Sequence, residues 1–263
     1  MAPVSNDLMS NGLNFYALVS GPVPSPFRNR RVRRSLLDVL LRQRRDSVLP
    51  LDMVPLSVVD LGVLRVPSGR LEACDPFVAL GNGPVYAVEP GDYPVRVTIA
   101  DVSKEHDGSH EREAYLSLVL ADGEPAAVEP APQLSGSDWG VGVDAGTVAF
   151  VDHDAVATAM PPRDDWNDVF DSGEPGSWFA LMDSPEHYQE GVANIVMPRA
   201  GAGENVVLSH SGWGDGVYPV VLTRDADGAQ LGLHIDLGVV GEFDDGDGED
   251  DEDERWLDRK SVV

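Results

Sequence analysis

The stretch Tyr93-Pro-Val-Arg-Val-Thr-Ile-Ala-Asp101 places Val95, Val97 and Ile99 on one side of an extended chain and polar residues on the other. A period of two is typical of a β-strand with one buried face. Similar stretches recur from residue 56 onward, and turn sequences such as Pro90-Gly91-Asp92 separate them. Because no regular helices lie between these strands, a parallel βαβ fold is disfavoured. We predict a mainly β protein, an antiparallel sandwich or rolled sheet with a few short peripheral helices.

The predicted strands are rich in branched and aromatic residues and are bounded by Gly, Pro, Asn and Asp. They cover residues 56–66, 93–101, 115–120, 141–151, 205–209, 217–223 and 230–240. Short helices or turns are predicted at 152–160 and 164–170, and a long packed loop at 171–191.

Charge divides the chain of 263 residues into three parts. Residues 1–49 form an irregular lead-in with a basic amphipathic helix, since residues 28–45 hold eight arginines and one aspartate, and four leucines there share one helix face. Residues 50–241 are the β-rich domain. Residues 242–263 are an acidic tail, with ten acids and no base between 242 and 254, and we expect this tail to be disordered.

The net charge of −26 limits the partners of the chain. The body outside the two charged segments carries −23, which repels nucleic acid and attracts basic proteins. No apolar run is long enough to span a membrane, and residues 1–20 lack the pattern of a secretory signal. The single cysteine, Cys74, suits a reducing compartment. We therefore expect a cytoplasmic protein.

The segment Ser211-Gly-Trp-Gly-Asp-Gly-Val-Tyr218 carries the first set of candidate binding residues. Three glycines in five residues indicate a backbone with positive φ or a close approach to another group. A Trp and an Asp on such a turn either form a recognition site or plug and cap a tight hairpin. The candidates are Ser211, Gly212, Trp213, Gly214, Asp215 and Tyr218.

A second set of candidates is Arg70, Cys74, Asp75 and Asp144. A guanidinium near a thiol lowers the pKa of the thiol and activates it as a nucleophile. Converging carboxylates perform acid–base work or hold a divalent cation, and those expected to converge are Asp144, Asp152, Asp215 and Asp236. In the simpler interpretation, Cys74 is a small buried residue, Asp75 caps the turn at Pro76, and Asp144 caps the turn that follows it.

Motifs that would identify a cofactor are missing from the sequence, so no cofactor and no metal are assigned. No glycine-rich phosphate-binding loop occurs, and no spacing of His or Cys is typical of a metal site. His210 and His234 are predicted to lie on neighbouring strands, with His234 and Asp236 on one face, and two imidazoles and a carboxylate could form a metal site there. Asp225-Ala-Asp-Gly228 begins like a calcium loop, but the alternating residues after it favour a hairpin turn.

Four motifs together resemble the bacterial family known as domain of unknown function 4241. They are residues 68–76 (SGRLEACDP), 90–95 (PGDYPV), 143–147 (VDAGT) and 211–218 (SGWGDGVY). The resemblance covers roughly residues 58–240. It implies a domain boundary, and it implies no activity or catalytic residues.

Two functions remain open at this point. The first is binding without catalysis, in which an acidic surface engages a basic protein partner, as an immunity-type or accessory protein would. The alternative is an enzyme of metal-assisted or carboxylate-driven hydrolysis or group transfer, encoded in a biosynthetic cluster. Its site would require Arg70, Cys74, Asp75, Asp144 and Asp215 to converge at one end of the sheet.

Overall fold

The computed structural model describes residues 23–24, 53–135 and 140–240. The basic helix predicted near residues 28–45, most of the lead-in before it and the acidic tail after residue 241 lie outside the described residues.

Two six-stranded sheets make up most of the structure, and every paired strand is antiparallel to its neighbour. The first sheet, in spatial order, consists of β3 (Leu56–Val66), β6 (Gly91–Asp101), β7 (Glu111–Val119), β16 (Gln230–Asp236), β15 (Val220–Arg224) and β8 (Ala127–Pro130). The second consists of β12 (Val192–Val196), β13 (Asn205–His210), β11 (Thr147–Asp152), β4 (Arg70–Cys74), β5 (Val85–Ala87) and β9 (Gln133–Ser135). Two short ribbons pair β1 (Val23–Pro24) with β2 (Met53–Val54) and β10 (Val141–Val143) with β14 (Gly216–Tyr218).

The main hydrophobic core lies between the two sheets. Leu116 and Leu118 of β7 belong to the same buried cluster as Val148 and Phe150 of β11. Side chains of a strand alternate between its two faces, so each sheet contributes every second residue to this core. The predicted mainly β fold, an antiparallel sandwich or rolled sheet, is therefore confirmed.

A layer of short helices covers the other face of the second sheet. Ala149 and Val151 of β11 pack there against the buried Trp178 and Met182. Because β11 is buried on both faces, its sequence is almost continuously apolar instead of alternating. The helices of this layer are α1 (His153–Ala159), a 3₁₀ turn (Arg163–Asp165), α2 (Trp166–Phe170) and α3 (Trp178–Met182).

The boundaries of several elements differ from the prediction. The strand predicted at 141–151 is broken into β10 and β11 at Gly146, which has a φ of +65°. The strand predicted at 217–223 is broken at Pro219, which has no amide hydrogen to pair. The loop predicted at 171–191 contains α3, and the last strand ends at Asp236 rather than at residue 240.

Among the described residues, no helix has both the length and the apolar character that crossing a bilayer requires.

Candidate functional site

The glycine-rich turn connects β13 to β14 at one end of the sandwich. Gly212 and Gly214 have φ values of +69° and +99°, which side chains rarely adopt. A Cβ at Gly212 would also lie 2.7 Å from the carbonyl oxygen of Glu113. The glycines at these positions therefore meet a backbone requirement, as the sequence predicts.

Two hydroxyl groups fix the shape of this turn. Ser211 Oγ donates a hydrogen bond to the carbonyl oxygen of Gly214 at 2.6 Å, and the Tyr218 hydroxyl donates to the same oxygen at 2.8 Å. Both side chains are buried, and burial raises the pKa of Tyr218, which keeps its hydroxyl protonated as a donor. Ser211 and Tyr218 thus shape the turn from within.

Trp213, in contrast, is displayed at the surface. Its side chain is 41% exposed, and Val217 nearby on β14 is 59% exposed. The guanidinium of Arg112 lies 5.4 Å from the centre of the indole, and His110 meets the ring edge-on at 6.3 Å. Of the two arrangements considered from the sequence, a displayed Trp and a buried plug, the structure has the first.

Arg112 and His110 could not be found by reading the sequence. Arg112 donates hydrogen bonds to the Gly212 carbonyl oxygen at 3.2 Å and to His110 Nε2 at 3.0 Å. Arg112 lies near the start of β7 and His110 lies just before it, about a hundred positions before the turn, and no local pattern connects the two segments. Both side chains contact the ring of Trp213 and so help to hold it in place.

Asp75 is the anchor of this end of the molecule. Its buried carboxylate accepts four hydrogen bonds, from the amides of Phe77 (3.1 Å), Asp144 (2.9 Å) and Ala145 (2.7 Å) and from the Thr147 hydroxyl (3.0 Å). These bonds satisfy a carboxylate that would otherwise be costly to bury. Asp75 therefore holds the end of β4 to the turn between β10 and β11.

Asp144 and Asp215 are brought close together by this framework. The β10–β14 ribbon pairs Val143 with Gly216, which sets the two aspartates next to each other on adjoining turns. The amide of Ser211 also donates to the Gly146 carbonyl oxygen at 2.9 Å. Both aspartate side chains are exposed. The surface formed by Asp144, Trp213, Asp215 and Val217 is called the Trp213 surface below.

Arg70 and Cys74 do not join this surface. Arg70 lies at the opposite end of β4 and pairs with Asp154 at 2.6 Å. Cys74 is buried, and desolvation, followed by the charges of Glu72 and Asp75, raises the pKa of its thiol well above the usual value. The thiol is therefore protonated and shielded, and the interpretation of an arginine-activated thiolate does not fit this fold.

A pair that the sequence did not indicate, Glu113 and His210, lies beneath the glycine-rich turn. His210 Nδ1 is 3.9 Å from Glu113 Oε1. Burial raises the pKa of Glu113, whereas the side chain of His210 is 47% exposed. A Cβ at Gly191 would come within 2.6 Å of His210 Nδ1, so the backbone packs tightly against the pair. The two residues support the turn from the inner side.

The metal arrangement considered for His210, His234 and Asp236 is not formed, since the two histidines lie in different sheets. The imidazole of His234 sits between the hydroxyls of Ser117 (2.8 Å) and Thr223 (3.0 Å), and burial lowers its pKa to about 3. Within 53–135 and 140–240 no group of three or more His, Cys, Asp or Glu side chains is arranged to hold a metal ion. Asp225 forms a hairpin turn, as predicted, and accepts from the amides of Asp227 and Ala229.

Comparison with known proteins identifies the family. No curated protein and no solved structure matches the sequence. A family model described as a protein of unknown function, DUF4241, matches residues 64–235. This range contains the four motifs at residues 68–76, 90–95, 143–147 and 211–218, and it agrees with the predicted resemblance over residues 58–240. The chain therefore belongs to the DUF4241 family of proteins of unknown function.

Proposed function

We propose that this protein acts by binding a basic protein partner in the cytoplasm, and that the partner contacts the Trp213 surface. The observation that carries this proposal is the combination of a turn locked by Ser211 and Tyr218 with an exposed Trp213 at its tip. An aromatic side chain held rigidly at the surface loses little conformational entropy on binding, and Trp is enriched at the energetic centres of protein interfaces.

Charge supports a basic partner in particular. Asp144 and Asp215 lie next to each other on the Trp213 surface and can pair with lysine or arginine. The net charge of −26 attracts cationic proteins over longer distances and accelerates their association. Neutralisation of a cationic toxin, the role of an immunity-type protein, is one form that this binding would take.

The enzyme alternative receives less support from the geometry. It required five side chains to converge, yet Arg70 lies at the other end of β4 and Cys74 is buried. The oxygens of Asp75 already accept four hydrogen bonds and lie inside the protein. Of the five candidate side chains, Asp144 and Asp215 present exposed carboxylates at this end, and the arrangement of these two aspartates with an exposed Trp suits binding better than acid–base chemistry.

The test uses partners captured from the source cells by the full chain, each then purified and titrated by calorimetry. For a true partner we expect affinity to fall between ~50 and ~300 mM salt because exposed charges are screened. We expect Trp213→Ala to weaken binding by at least ~10-fold, as truncation of an interface anchor does.

A matched control is Tyr188→Ala, since Tyr188 is 39% exposed and lies outside the Trp213 surface. This control should bind with unchanged affinity. Affinity that is independent of salt, or equal in Trp213→Ala and the unchanged protein for every captured basic partner, would contradict the proposal.

A further inference from the structure

The helical layer over the second sheet presents a strongly acidic surface. Residues 164–190 contain eight Asp and Glu residues and no Lys or Arg, and all eight side chains are exposed. None of these eight forms an ion pair with any residue in the ranges that the structure describes. The surface therefore carries a charge that no described cation of the chain neutralises.

Exposed apolar side chains lie within this acidic surface. The rings of Phe77 and Phe179 stack with their centres 4.1 Å apart and their planes 11° from parallel. Phe179 is 37% exposed, and Val78 next to Phe77 is 57% exposed. We call the surface of Phe77, Val78 and Phe179 the Phe179 surface. Exposed apolar groups rimmed by polar ones are typical of interaction sites.

The Phe179 surface is rigidly supported. Phe77 packs edge-on against Phe170 with the ring centres 5.2 Å apart, and Phe170 packs in turn against the buried Trp178 at 5.1 Å. The amide of Phe77 is fixed by the carboxylate of Asp75. The end of α3 is held by the amide of Gly191, which donates to the Met182 carbonyl oxygen at 2.8 Å. Such a platform needs no reorganisation to receive a partner.

We propose that the Phe179 surface is a second docking site, and that it binds a basic amphipathic helix of a partner protein. Apolar residues at i, i+3 and i+4 of the helix contact Phe77, Val78 and Phe179. Lysine and arginine side chains on the flanks of the helix pair with exposed carboxylates on either side of Phe179 along the chain, such as Glu174 and Asp183. A helix fits because it presents one narrow apolar stripe between two charged flanks.

The test uses the full chain and two fluorescent peptides of about 18 residues, five helical turns. One has leucines at helical spacing with arginines on the remaining face, and the other has the same composition in an order that destroys the apolar stripe. We expect the first peptide to bind, measured by fluorescence anisotropy, and the second to bind at least ~10-fold more weakly.

Variants then locate the bound peptide. Val78→Ser and Phe179→Ala should each weaken binding several-fold, and Glu174→Lys with Asp183→Lys should weaken it further. Val217→Ser is the matched control, because Val217 is 59% exposed but belongs to the Trp213 surface. Trp213→Ala should leave peptide binding unchanged, which separates this proposal from the proposed function. Circular dichroism melts establish that each variant is folded.

Three results would overturn the proposal. Equal binding of the two peptides would mean that charge alone attracts them. Unchanged affinity in folded Val78→Ser and Phe179→Ala would place the peptide elsewhere. Binding that appears only after Leu36→Asp and Leu40→Asp would mean that the basic segment of this same chain, and not a partner, occupies the surface.

Discussion

At Asp75 a single buried carboxylate joins three segments of the chain. It accepts hydrogen bonds from the amides of Phe77, Asp144 and Ala145 and from the hydroxyl of Thr147. The first of these bonds is local, and the sequence Asp75-Pro76 predicts it as a turn cap. The others reach across about seventy residues, and their existence depends on how β4 pairs with β11. The sequence alone therefore left Asp75 open between a candidate binding residue and a turn cap.

We predict that Asp75→Asn lowers the free energy of unfolding by about 2–4 kcal/mol, because the amide NH₂ would face N–H donors in place of one carboxylate oxygen. Chemical denaturation of the two proteins measures the difference. Asp144→Asn is the control, since the side chain of Asp144 is exposed and only its amide takes part in this network. Equal stability of Asp75→Asn and the control would show that the network contributes little.

Among the elements, the strands with a clear apolar alternation were predicted, whereas β4, β5, β8, β9 and β12 were not. The alternation in residues 93–101 and 230–240 predicts strands that the structure contains as β6 and β16, although β16 ends at Asp236. The break at Pro219 was missed because the apolar pattern continues across it, although proline cannot pair in a ladder. The break at Gly146 lies at the turn that Asp144 was expected to cap, but the predicted strand ran through this turn. The sequence also predicted that the glycine-rich turn needs unusual backbone angles, but it could not reveal how much space surrounds each glycine.

Comparison of Gly212 with Gly146, on adjoining turns, separates two reasons why replacing a glycine lowers stability: lack of space for a Cβ and a left-handed backbone angle. Their φ values are nearly equal, +69° and +65°. A Cβ at Gly212 would lie 2.6 Å from a methyl of Val239 and 2.7 Å from the Glu113 carbonyl oxygen, whereas a Cβ at Gly146 would have nothing within 4 Å. We predict that Gly146→Ala costs ~1 kcal/mol of stability, the left-handed strain alone, and that Gly212→Ala costs at least twice as much.

Thermal denaturation of both variants, with the unchanged protein alongside, measures this difference. If Gly146→Ala were as destabilising as Gly212→Ala, backbone strain rather than close packing would govern the glycine-rich turn.

At the scale of the whole molecule, the sandwich follows from sequence pattern but the joining of its sheets does not. Asn194 and Asn205, on β12 and β13, donate side-chain hydrogen bonds to the carbonyl oxygens of Leu61 (2.7 Å) and Val63 (2.8 Å) on β3. These bonds connect the edge of the second sheet to the edge of the first where the pairing of β3 with β6 shifts register. The two asparagines lie more than 130 residues from β3, and no sequence pattern connects them with it. These contacts between the sheets could therefore not be predicted from the sequence.

The response of the fold to pH should reflect two buried groups on one face of β16 with opposite effects. Burial raises the pKa of Asp236 to about 7 and lowers that of His234 to about 3. The folded protein therefore holds more protons than the unfolded chain at Asp236 between pH ~4 and ~7, so this group makes stability fall as pH rises. At His234 the unfolded chain holds more protons between pH ~3 and ~6.5, so this group makes stability rise with pH. Over pH 4–6.5 the two contributions oppose each other.

We predict that removing either group uncovers the contribution of the other. Relative to the unchanged protein, Asp236→Asn should gain stability as pH rises from ~4 to ~7, and His234→Gln should gain stability as pH falls from ~6.5 to ~4, each by at most ~1.4 kcal/mol per pH unit. Urea denaturation at several pH values measures both slopes. Tyr115, which hydrogen-bonds Asp236 and whose own pKa burial raises, stays protonated throughout this range and does not add a slope. The measured quantity is the stability of each variant minus that of the unchanged protein, plotted against pH. Slopes of the same sign for the two variants would mean that burial does not set the protonation of this face. Differences that do not change with pH would mean that both groups reach solvent in the folded protein.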